Sequence, residues 1–146
     1  MRRRDERGST IPLIVGLATV LLMGIALVIN ASAAYLQRQS LDTLADGAAL
    51  RGADLGAAGV YGEGLDVERL LQEKGAVEKV VVAYLQSVGA DQTYPGLEVD
   101  ARVNFLDRSV TVFLSAPVDL PLRIPGAPTQ PVVGASSTAA VTIQGP

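Results

Sequence analysis

The chain has 146 residues and a formal charge of −3, and it contains no histidine, cysteine or tryptophan. Those absences remove the commonest general base, the thiol nucleophile, any disulfide framework and the usual zinc and haem ligands, so no enzymatic activity, cofactor or metal is expected. The charge is unevenly spread: Arg2, Arg3, Arg4 and Arg7 outweigh Asp5 and Glu6 to give +2 at the N-terminal tip, which leaves 8 basic and 13 acidic residues beyond it. An acidic, aromatic-poor body argues against nucleic acid as a partner.

The first predicted element is an apolar helix. No charged residue occurs between Arg7 and Arg38, and Ile11 to Ile29 is apolar apart from Thr19 and the glycines at 16 and 24. At about 1.5 Å per residue this run reaches roughly 28 Å, close to the hydrocarbon thickness of a bilayer. A buried helix of a soluble protein is rarely apolar on every face at such length, so the lipid bilayer is the expected partner. The positive-inside rule puts the arginine tip in the cytoplasm and the acidic body outside. A rival reading comes from Ala31 and Ala33, which form the A-x-A pattern that a signal peptidase reads; a cut after Ala33 would release a secreted binding module beginning at Ala34. Signal cores are typically about 7–15 residues, shorter than this run, and the helical pattern continues past the candidate cut. The expectation is therefore a retained, single-pass anchor in the cytoplasmic membrane. Asn30-Ala31-Ser32 has the form of a glycosylation sequon and is read as helix.

Beyond the span, Leu41, Leu44, Ala45, Ala48 and Ala49 recur at helical spacing, extending the helix as an amphipathic rod to about Gly52. Its apolar face is small, and Ala45, Ala48, Ala49 and Gly52 are the expected helix-packing residues, with the protein's own domain as the favoured neighbour. Asp42 and Asp46 share a face, but without a third ligand nearby they read as solvated carboxylates. Gly52, Gly56, Gly59, Gly62 and Gly64 are expected to end the rod and turn the chain back. A second helix over Val67 to Val88 follows, with Asp66 as N-cap, Gly89 as stop and Tyr84 at the edge of the core. Alternation in "LEVDARVNF" predicts a half-buried strand, and "LDRS" a turn. Val110, Val112 and Leu114 mark a second, antiparallel strand. Five prolines between Pro117 and Pro131 make an extended surface connection, and "VVGASSTAAVTIQ" can return as a third strand. These elements give an α+β fold: a long N-terminal transmembrane helix continuing into a small outer domain, with a second helix and a three- to four-stranded antiparallel sheet. The chain divides into a basic cytoplasmic tip (1–8), a transmembrane helix (9–34), an amphipathic extension with a glycine-rich turn (35–64) and an extracytoplasmic domain (65–146).

An Arg-Gly-Ser step before an unbroken apolar helix, followed by "YLQRQSLDTLADGAALRGA", resembles the N-terminal module of the TadE/TadG-like proteins of Tad (Flp-type) pilus assembly. The likeness covers about Glu6 to Ala53 and is carried best by Arg38, Gln39, the run Ala45 to Leu50, and Gly52-Ala53. It implies a non-enzymatic minor pilin or pseudopilin in which the outer half of the long helix packs on the sheet. Its implied partners are other Tad pilus or secretion subunits and the inner-membrane platform, with no small-molecule substrate. In pilins a prepilin peptidase cuts after a glycine, and a glutamate five residues beyond helps the subunit enter the filament. Gly8 and Ser9 are the candidate pair here, but the glutamate position is Leu13, an absence that matches the TadG-like branch.

Overall fold

The computed structural model describes residues 10–59, 67–104, 106–123, 126 and 130–140. Helix α1 runs without a break over Thr10–Gly59, 50 residues or roughly 75 Å. It continues past Gly52, where the sequence suggested a stop. Gly52 serves packing instead: an added Cβ there would lie 2.9 Å from Val110 Cγ1 and 3.2 Å from Val77 Cγ1. The turn-back after Gly59, with Gly62, Gly64 and Asp66, lies outside the described residues.

Helix α2 spans Val67–Ser87, and a four-residue helix, α3, spans Ala90–Thr93. Gly89 ends α2 in the left-handed region at φ 68°, a conformation in which a Cβ is strained. The chain then starts again as α3, which the sequence reading did not contain. Its last turn passes into Tyr94-Pro95-Gly96-Leu97, where Pro95 fixes the first turn position, Gly96 takes φ 81° and the Leu97 amide donates to the Tyr94 carbonyl.

Three antiparallel strands follow, β1 Glu98–Asn104, β2 Ser109–Pro117 and β3 Val132–Ala140, in the order β1-β2-β3. The register puts Val99, Leu114 and Ala135 in one row, Ala101, Val112 and Ser137 in the next, and Val103, Val110 and Ala139 in a third. All of these point to the inner face, because strand side chains alternate. The opposite face carries Asp100, Arg102, Thr111, Phe113, Ser136 and Thr138. The β1–β2 turn is fixed by Asn104, whose side-chain oxygen accepts from the Leu106 amide at 3.0 Å while its amide donates to Asp107 at 2.6 Å.

The upper half of α1 lies across β3 and β2, and α2 lies beside it against β1, so the body has two layers. Leu41, Ala45, Ala48, Ala49 and Ala53 from α1 meet Val77, Val81 and Leu85 from α2 over Ala101, Val110, Val112, Leu114, Ala116, Ala135 and Ala139. Small residues on α1 let three elements approach one seam closely. The fold is the α+β arrangement expected from the periodicities, with three strands among the described residues.

Candidate functional site

Helix α1 has two surfaces of opposite kind. Over its first twenty residues none of the described residues is fully buried: thirteen large apolar side chains between Ile11 and Ile29 are exposed, from 73% at Ile11 to 41% at Ile29. Fully burying such a side chain is worth about 1.5–3 kcal/mol, so the set would gain on the order of 20 kcal/mol on leaving water. That exceeds the ~5–15 kcal/mol stability of a typical domain, so this surface requires an apolar environment. Its polar atoms are already suited to one: the Thr19 hydroxyl donates to the Val15 carbonyl and Ser32 to that of Val28, both at 2.8 Å. Among the described residues this is the one helix long and apolar enough to cross a membrane.

From Asn30 onward one side of the helix belongs to the body. Asn30 is 6% exposed; its amide nitrogen donates to the Leu122 carbonyl at 2.7 Å, and its oxygen accepts from the Leu122 amide at 3.1 Å. This two-point pairing copies the hydrogen bonding of a neighbouring peptide unit. Two turns on, Gln37 donates to the Pro117 carbonyl at 2.8 Å, and one turn further Ser40 receives the Tyr94 hydroxyl at 2.6 Å. Asn30, Gln37, Leu41, Ala45, Ala48 and Gly52 thus form one stripe: polar contacts to loop and strand ends below, apolar contacts to the sheet and α2 above.

The structure buries Ala45, Ala48, Ala49 and Gly52 in that upper part, against α2 and β2. Tyr84 packs at the edge, with Gly47 beneath its ring: a Cβ at Gly47 would lie 2.8 Å from Tyr84 Cζ. Ala31 is exposed and Ala33 half-buried, both inside the unbroken helix. Leu13 is among the exposed apolar residues. Gly8 and Ser9 lie outside the described residues. Asp42 and Asp46 are exposed, and no group of three potential metal-binding side chains occurs among the described residues. Asn30 is a positioning residue whose contact the sequence alone does not show. Its signal was present, as the one amide side chain between Arg7 and Gln37, but its partner sits in a proline-rich segment without periodicity.

The geometry is that of an exposed apolar rod fused to a folded body. No curated protein and no solved structure matches the chain. Residues 8–58 match the Tad family, described as Flp pilus-assembly TadE/G-like. That match covers α1 nearly end to end and stops before α2, so the likeness to TadE/G-like Flp pilus-assembly proteins lies in the long helix of this chain.

Proposed function

We propose that the protein is a non-enzymatic, single-pass membrane subunit of a Tad-type pilus or related secretion machine, acting as a minor pilin or pseudopilin. The observation that carries this reading is the continuity of α1: its lower surface is apolar on all sides, and its upper stripe is the core of the body. Such a helix transmits position from bilayer to domain without a hinge, which suits a subunit whose work is mechanical. The arginine tip supports a cytoplasmic N-terminus and an extracytoplasmic body in the cytoplasmic membrane. Other pilus subunits and the inner-membrane platform are the proposed partners, in keeping with the pilus-assembly family that its long helix resembles.

The alternative, a secreted binding module starting at Ala34, is disfavoured by Asn30. A cut after Ala33 would remove the side chain that pairs with Leu122 and leave two backbone groups without their partner. Mass determination of the mature chain separates the readings. An intact Met1 supports the retained anchor, Ser9 reveals prepilin-type processing after Gly8, and Ala34 overturns the anchor. Recovery of Tad subunits or platform proteins with the detergent-solubilised chain supports the assembly role; a monodisperse protein with none of them counts against it.

A further inference from the structure

We infer that the segment Asp119 to Arg123 is a second membrane contact, seated in the headgroup region of the leaflet on the domain side. The inference rests on the anchor reading of α1 and adds to it a surface of the folded body.

Three observations converge on this segment. The first is level. Asn30 follows Ile29, the last of the continuous exposed apolar run, by one residue or about 1.5 Å along the axis. Because its side chain holds the Leu122 backbone at 2.7 and 3.1 Å, Leu122 is fixed at the height where the span ends. The second is continuity of the apolar surface. Tyr35 and Leu36 are exposed on the helix above the span, roughly 9–10.5 Å beyond Ile29, at the water side of a headgroup layer about 5–7.5 Å deep. Tyrosine is a preferred residue at that depth. Leu122 is 39% exposed and Pro121 is exposed, which puts apolar groups on the loop side at the level of Asn30, nearer the span than Tyr35 and Leu36, with Arg123 exposed beside them. A leucine followed by an arginine suits the boundary, the first reaching toward acyl chains and the second toward lipid phosphates.

The third observation is the clamp itself. A loop in water has its N–H and C=O groups satisfied by solvent; one beside hydrocarbon must find partners within the protein. Leu122 has both groups satisfied by a single side chain from the membrane helix. Asn30 therefore does for this loop what water cannot do at that depth. The contact fixes the body against the bilayer at a second point, so the domain is restrained from rotating about the axis of α1.

The absence of tryptophan provides the test. Single-tryptophan variants of the full chain, reconstituted in phosphatidylcholine and phosphatidylglycerol vesicles, are read by emission maximum and by quenching with nitroxide lipids labelled at shallow or deep acyl positions. Leu122→Trp keeps the backbone pairing with Asn30; it is expected to emit at shorter wavelength than Leu106→Trp, and shallow labels should quench it severalfold more strongly. Leu106 is 95% exposed in the β1–β2 turn, at the opposite end of β2 from Pro117, and serves as the distal reference. Pro121→Trp gives an independent reading of the same loop. Adding Asn30→Ala to Leu122→Trp should weaken the shallow quenching. Equal quenching of the loop and distal variants overturns the proposal while leaving the anchor intact, provided that Val20→Trp is quenched by the deep label. If Val20→Trp is not quenched, the anchor reading falls and the loop contact with it.

Discussion

Asn30 and Gly52 do opposite jobs on the same helix. At Asn30 a polar side chain supplies what a loop backbone lacks, and truncation strands two part-buried backbone groups, at up to about 1–3 kcal/mol each. Asn30→Ala should lower the unfolding free energy of the detergent-solubilised chain by about that order, measured by circular dichroism. Asn30→Asp should not rescue it, because a carboxylate has no hydrogen to give the Leu122 carbonyl. At Gly52 the need is for no side chain. Gly52→Val would push into Val110 and Val77, both nearly fully buried, and should destabilise by about 1–3 kcal/mol although valine favours helix over glycine. Gly16→Ala is the control: nothing lies within 4 Å of a Cβ there, so the body should unfold as before.

The two faces of the sheet make very different contributions. On the inner face Leu114 is 1% exposed between the helices and its strand neighbours, and Leu114→Ala should cost about 2–5 kcal/mol through lost transfer energy and the cavity left behind. On the outer face Arg102 pairs with Asp100 at 2.8 Å and sits 4.7 Å above the Phe113 ring. Both carboxylate and guanidinium are largely in water, so Arg102→Ala should cost less than about 1 kcal/mol in the same unfolding measurement. The alternation of Val99, Ala101 and Val103, and of Val110, Val112 and Leu114, made the inner face legible in the sequence. The end of α1 was not. Glycine at 52 reads locally as a stop, and only the approach of β2 and α2 turns it into a packing residue. Helix α3 was hidden for a related reason: four residues are too few to show a period.

For the molecule as a whole, α1 joins an apolar stretch long enough to cross a membrane to the core of the body, so in the proposed anchor insertion and folding are coupled through a single element. A charge in the middle of the span, Val20→Arg, should disfavour insertion by about 2.5–3.5 kcal/mol and shift the chain from the carbonate-resistant membrane fraction toward the soluble or degraded one. Replacing the four tip arginines by neutral residues should scramble orientation, read as loss of uniform protease accessibility of the body in spheroplasts.

Composition and periodicity alone determined that one end of this chain is an apolar helix of bilayer length, that the rest is α+β, and that the residue types for most catalytic chemistry are missing. Those properties follow from local pattern: a helix shows its faces every 3.6 residues and a strand every two. The tertiary structure decided where the exposed apolar rod ends and the domain begins. That boundary depends on Asn30 meeting Leu122, 92 residues away in sequence, and on Gln37 meeting Pro117. No local rule encodes either contact, because each is made when β2 and the loop beyond it fold back onto the helix.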